Sequence, residues 1–242
     1  DAKDSTSAQR NDDWQRHLTR DGAPKMEEQL TIGLPEEYFV GEAHQAVYQS
    51  LQRQLESLMK QVIITGASSG IGLATAQRFV DAGYAVANLS RSACGVSGVT
   101  NVACDLSNSE FLQQIGSELQ AICESAKTVT LIHNAARLNN DRVGETDSAL
   151  LRDVLEVNLV AANSLNQFCL PFMQPGSSIL YVGSTLAEKA VPNSFTYVTS
   201  KHAVIGMMRA TCQDLAGTGI HTACINPGFT DTEMLREHIP AD

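Results

Sequence analysis

Beyond residue 60 the chain is punctuated by short apolar runs at 61–65, 85–90, 99–104, 128–133, 177–183 and 220–225, each of strand length. Between them, residues 71–82, 107–124, 146–173 and 196–216 carry apolar positions at three- and four-residue spacing, which predicts helices with one face to cover. Strands alternating with helices predict βαβ units, whose right-handed crossovers build a parallel sheet covered by helices on both faces. The expected fold class is α/β, a doubly wound parallel sheet of the dinucleotide-binding type. Ahead of residue 60 the pattern changes. Residues 1–35 are rich in Asp, Ser, Gln, Arg and Gly without a strong period and are expected to be loop or poorly ordered. Over 36–59, Tyr38, Val40, Ala43, Val47, Leu51, Leu55 and Leu58 approximate helical spacing and predict an amphipathic helix. Its stripe is expected to pack on its own domain or a sister subunit. The division predicted is an N-terminal extension, 1–58, and a nucleotide-binding domain, 59–242.

Composition narrows the function classes. Hydrophobic residues make up 43% of the 242 positions, enough for one large core. A formal net charge of -10, with no basic patch to offset it, excludes nucleic acid and anionic membranes as expected partners. No apolar run reaches bilayer-spanning length and the N-terminal stretch is polar, so the expectation is a soluble, cytoplasmic protein. Cys94, Cys104, Cys123, Cys169, Cys212 and Cys224 lack paired or metal-ligand spacing and are expected as reduced core thiols, with no metal site.

Candidate chemistry begins where the first strand runs into Thr65-Gly66-Ala67-Ser68-Ser69-Gly70-Ile71-Gly72. Glycines permit a tight turn and close approach to a pyrophosphate, and the amides of the following helix favour the anion. Ending the second strand, Asn88-Leu89-Ser90-Arg91 has no carboxylate to bind ribose hydroxyls; Arg91 is suited to a 2′-phosphate, which favours NADP(H). The alternative is a solvated surface arginine with NAD(H) accepted. In Tyr197-Val198-Thr199-Ser200-Lys201 the tyrosine and lysine lie one helical turn apart, and an ammonium beside a phenol favours the ionised form of an acid/base. Ser184 follows the strand 179–183 and is placed to emerge at the carboxyl edge of the sheet.

Taken together, these motifs resemble the short-chain dehydrogenase/reductase family, in its classical branch, over residues 60–235. The Thr65 to Gly72 turn matches, with Gly66, Ser68, Ser69, Gly70, Ile71 and Gly72 as cofactor contacts. Asn134-Ala135-Ala136 stands for the family's Asn-Ala-Gly element, Asn158 for its helix asparagine, and Asp105-Leu106 for its adenine contact. Asn226-Pro227-Gly228-Phe229-Thr230-Asp231-Thr232 looks like the Pro-Gly segment beside the nicotinamide, with Pro227, Gly228, Thr230 and Thr232 as contacts. The resemblance implies a Rossmann-like domain and an oxidoreductase moving hydride between NADP(H), or NAD(H), and a small carbonyl or alcohol substrate. Tyr197 would be the proton donor and acceptor, Ser184 would orient the substrate oxygen, Lys201 would lower the Tyr197 pKa and hold the ribose, and Asn158 would position a water. Packing or capping of a kink explains Asn158 equally well. The helices over 146–173 and 196–216 resemble those that join family subunits, implying a homodimer or homotetramer.

Two departures stand out. Ala136 adds a methyl where the family has glycine, and the sequence stops soon after its Pro-Gly segment, where family members continue with a substrate-covering helix, another helix and a strand. The 36–59 helix is a candidate cover for that surface. Two other functions stay open: a catalytically silent nucleotide-binding regulator or scaffold, and reduction of a carbon–nitrogen double bond, as in a pteridine. Residues 137–147 and 186–196 would shape the substrate pocket, with Ala187, Val191, Pro192 and Phe195 as a partly apolar wall.

Overall fold

A computed structural model describes residues 60–238 together with Gln49. The expected loop at 1–35 and the boundary at 58 lie outside the described residues. So does the 36–59 helix, apart from Gln49, which is helical.

Every predicted strand forms: β1 (Lys60–Thr65), β2 (Ala85–Ser90), β3 (Val99–Ala103), β4 (Thr128–His133), β5 (Ser178–Val182) and β6 (His221–Ile225). All neighbours pair in parallel, in the order β3-β2-β1-β4-β5-β6. The chain therefore winds outward from β1 in one direction and from β4 in the other. The carboxyl ends of β1 and β4 flank the point where the winding reverses, which is where ligands enter open sheets of this kind.

Helices α1 (Gly70–Asp81), α2 (Phe111–Glu124), α3 (Ser148–Leu155), α4 (Ala161–Cys169), α5 (Phe195–Asp214) and α6 (Glu233–His238) complete the described part. Side chains alternate across the sheet as strand geometry requires. Ile63, Leu131, Ile179 and Tyr181 meet α2, α4 and α5 on one face, while Val62, Ile64, Val86 and Ile132 pack with α1 on the other. Among the described residues no helix is long and apolar enough to cross a membrane.

Two predicted helices differ in detail. The 107–124 segment becomes helical only at Phe111, because Asp105 accepts the amide of Ser107 and Asn108 accepts that of Glu110, making polar turns that compete with the helix. The 146–173 segment is not continuous: a π-helical turn, Glu156–Val160, separates α3 from α4, and a 3₁₀ turn containing Pro171 ends it. The extra residue of a π turn shifts the helix face, and Asn158 sits within it.

Candidate active site

The cradle at the end of β1 is fixed by polar side chains reaching from neighbouring strands. Thr65 Oγ1 accepts the amides of Asn134 at 2.9 Å and Ala135 at 3.0 Å, stapling the ends of β1 and β4. The Asn134 side chain donates to the carbonyls of Thr65 (3.0 Å) and Gly66 (2.9 Å). Gly66 has φ +70°, and a Cβ there would lie 3.0 Å from Ala135 Cα; one on Gly72 would collide with the Gly66 carbonyl and the Asn134 amide. Gly66 is thus required by backbone and space together, and Gly72 by space alone. Helix α1 opens inside this turn with no side-chain cap from Ser69 and no acidic residue in its first turn. Its leading amides and positive dipole end face the turn that Ser68, Ser69, Gly70 and Ile71 form, which fits a pyrophosphate.

Asn88 also shapes the cradle, and the motifs do not reveal it. Only 1% exposed, it accepts the Ala67 amide at 2.9 Å and donates to Asn101 Oδ1 at 2.9 Å and the Ser92 carbonyl at 3.1 Å. Its one sequence signal is an amide inside an otherwise apolar strand. Asn88→Ala leaves the Ala67 amide buried without an acceptor and should cost about 1–3 kcal/mol, read from chemical denaturation. An unchanged midpoint would show that the turn holds itself.

Arg91, exposed just past β2, and Asp105, exposed just past β3, lie at adjacent strand ends. Hydrogen bonds from the Ser107 hydroxyl and amide hold the Asp105 carboxyl below its ordinary range, and the charges of Arg91 and Arg137 add to this. Leu106 is buried beside them.

On the other side of the cleft, α5 carries Tyr197 and Lys201 on one face, with Lys201 Nζ 5.5 Å from the centre of the Tyr197 ring. Lys201 is 3% exposed and donates to the Val182 carbonyl at the end of β5 at 2.7 Å. Burial pulls its pKa down to about 8, opposed by the neighbouring Cys224 thiol. Burial pushes the Tyr197 phenol up, and a hydrogen bond with Ser184 pulls it partly back. Ser184 supplies the opposing pull, and Lys201, expected to lower the Tyr197 pKa, is not among the causes of its shift. Ser184 itself caps a 3₁₀ turn, Thr185–Ala187, by accepting the Leu186 amide at 3.1 Å.

Asn158 bonds to the loop after β4 and to Ser200. Its Oδ1 accepts the Arg137 amide at 2.6 Å, and its amide hydrogens go to the Arg137 carbonyl at 3.0 Å and Ser200 Oγ at 2.9 Å. The side chain therefore ties the loop after β4 to α5 and holds the π turn in place. His133, not singled out by any motif, is buried and donates from Nε2 to Asn166 Oδ1 (2.7 Å); Asn166 in turn donates to Tyr181 Oη at 2.7 Å. Burial pulls His133 down to about 4, so its ring is neutral at pH 7. Thr65, His133, Asn158 and Lys201 share the wall of one cavity between the strand ends and α4 and α5.

The Pro-Gly segment is tied to the end of β5. Gly183 and Thr185 donate to the carbonyls of Ile225 (2.8 Å) and Pro227 (2.9 Å), and Asn226 Oδ1 accepts the Ser184 amide at 3.3 Å. Farther along, the Thr232 methyl comes within 3.2 Å of where a Cβ on Gly70 would stand, so Thr232 returns to the glycine turn. Gly228 and Thr230 lie between, exposed.

This arrangement has counterparts among known proteins. The short chain dehydrogenase profile matches residues 60–241. The 3-oxoacyl-[acyl-carrier-protein] reductase MabA of Mycobacterium avium is 27% identical over 179 residues, 73% of this chain and 69% of that protein. The ligand-free aldohexose dehydrogenase of Thermoplasma acidophilum superposes with a TM-score of 0.67 at 32% identity, covering 74% of this chain and 69% of that one. A 4-hydroxyisoleucine dehydrogenase complexed with NADH gives 0.64 at 28% identity, with 74% and 79% covered. With a profile match across most of its length and a sheet, glycine turn and Tyr-Lys helix in their expected places, the chain belongs to the short-chain dehydrogenase family, an oxidoreductase family acting on alcohol and carbonyl groups.

Proposed function

We propose that the protein is an NADP(H)-dependent oxidoreductase of small carbonyl or alcohol substrates, with Tyr197 as its general acid and base. The observation that supports this most is the convergence of Ser184, Tyr197 and Lys201 on one side of a cleft whose other side is the glycine cradle. The dinucleotide would lie along Gly66 to Gly72, Asn134 and Ala135, with Pro227 to Thr232 at the nicotinamide end, and it supplies or accepts the hydride. In reduction, Tyr197 Oη gives its proton to the substrate oxygen and takes one back in oxidation. Ser184 fixes that oxygen within reach of the phenol. Lys201, whose ammonium already approaches the Tyr197 ring, offers further hydrogens to ribose hydroxyls and stabilises phenolate as the proton leaves. Exposed Val191, Phe195 and Phe229 provide apolar surface near the cleft for the substrate's carbon skeleton. A homodimer or homotetramer formed through the α3–α4 segment and α5 is part of the same proposal.

Preference for the 2′-phosphorylated cofactor rests on Arg91 at the end of β2. Fluorescence titration of wild type should show tighter binding of NADPH than of NADH. Arg91→Ala should weaken NADPH by about 10- to 100-fold, the worth of a hydrogen bond to a charged group, and leave NADH unchanged. Equal loss for both cofactors would remove Arg91 from the phosphate. No binding of either would move the silent-scaffold reading ahead.

A further inference from the structure

We infer that Asp141 is the positioning residue of the catalytic helix, holding the turn that carries Tyr197 from outside that helix. The inference rests on the proposed function, because it assigns a role toward Tyr197. Helix α5 begins at Phe195, and its N-cap Ser194 makes no side-chain cap. Asp141 replaces it from the loop after β4: the carbonyl accepts the Phe195 amide at 3.2 Å, and both carboxylate oxygens accept the Thr196 amide at 3.2 Å. A helix's first amides have no partner within the helix, so one distant residue satisfies two of them. The Asp141 amide meanwhile donates to the Asn193 carbonyl at 3.2 Å, forming a parallel bridge with Ser194.

Other contacts tighten the clamp. Asp141 is 8% exposed, and Thr146 Oγ1 reaches its second carboxylate oxygen at 3.5 Å. Asn193 stands at positive φ, 60°, and its side chain accepts from Arg142 Nε, next to Asp141. The loop after β4 and the loop before α5, which the sequence places around the substrate, are thereby joined at one residue.

Tyr197 immediately follows the capped Thr196, whereas Lys201 is held one turn later by the Val182 carbonyl and Ser200 by Asn158. Removing Asp141 therefore frees the first turn and leaves the second anchored. The phenol should lose its aim while cofactor contacts persist. A displacement on the order of 1 Å at a reacting group costs about 100-fold in rate.

The test compares wild type, Asp141→Ala and Asp141→Asn in three measurements: NADPH titration, kcat and KM for NADPH-driven reduction of p-nitrobenzaldehyde, and hydrogen–deuterium exchange over residues 193–201. Asp141→Ala should lower kcat by about 10- to 100-fold, leave NADPH affinity within about twofold, and speed exchange in that segment. Asp141→Asn keeps an acceptor that ranks with Asp at a helix N-terminus and should restore kcat to within about fivefold. Retention of kcat by the alanine variant, or parallel loss of kcat and NADPH affinity with no rescue by asparagine, overturns the assignment. If wild type binds no NADPH or leaves p-nitrobenzaldehyde untouched, the proposed function is what fails. The exchange measurement then still decides the clamp: faster exchange in Asp141→Ala and recovery in Asp141→Asn uphold it, and unchanged exchange overturns it. Should Asp141→Ala not fold, Asp141→Ser, a shorter acceptor, takes its place in each comparison.

Discussion

Replacing Tyr197 by Phe is expected to lower the rate of carbonyl reduction by about 10²–10⁴-fold, the span typical of losing a positioned general acid, and to leave NADPH affinity unchanged. The ring keeps its packing on α5 and its place beside Lys201, 5.5 Å from the ammonium to the ring centre. Only the hydroxyl goes, and with it the hydrogen bond to Ser184. Because burial holds the phenol above its ordinary value, Tyr197 stays protonated at neutral pH. Oxidation needs the phenolate, so it should grow faster as pH rises. Initial rates in both directions for wild type, with stopped-flow binding of NADPH to Tyr197→Phe, check this. Reduction persisting in the phenylalanine variant would mean another group supplies the proton.

Lys201→Met is expected to abolish turnover and yet stabilise the fold at pH 7. Burial takes Lys201 from its ordinary 10.5 to about 8. Below that value both folded and unfolded chains carry the charge, and the folded chain bears the full desolvation cost. As pH climbs from about 8 to 10.5 the folded chain loses its proton first, the cost fades, and wild type gains stability relative to the variant. Each pH unit is worth about 1.4 kcal/mol; set against the lost hydrogen bond to Val182, the variant should gain on the order of 1–3 kcal/mol near neutrality. Thermal melts at a series of pH values should show a gap largest at pH 7 and closing toward high pH. A variant less stable than wild type at pH 7 would show that the Val182 contact outweighs the burial of charge.

Much of this was legible in the sequence, and the boundary is instructive. Parallel strands buried on both faces, such as 61–65, read as short apolar runs, and β1 is buried from Gln61 to Thr65. Closely spaced glycines and a tyrosine one turn from a lysine are local signals, so the glycine turn and the helix carrying Tyr197 and Lys201 could be found from spacing alone. The π turn at Glu156–Val160 was not, because apolar positions continue through it and only their phase slips. Asn88 and Asp141 were missed for another reason. Their partners, Ala67 and Thr196, stand far away in the chain, 21 and 55 positions off, and no motif window spans such pairs. Lys201 stands out in the sequence by its spacing from Tyr197, but its carbonyl partner on β5 and the burial that lowers its pKa come from tertiary packing.

The same long-range cap bears on how the molecule is assembled. Tyr197 and Lys201 are four positions apart, but the turn that aims the tyrosine is completed from 55 positions upstream, across α3, α4 and β5. The entropy of closing so long a loop must be met before the cap contributes anything. Catalytic geometry is in that sense a late product of folding. The helix bearing the Tyr-Lys pair is not a portable module: cut out and grafted elsewhere, it would bring the residues and leave behind what points them.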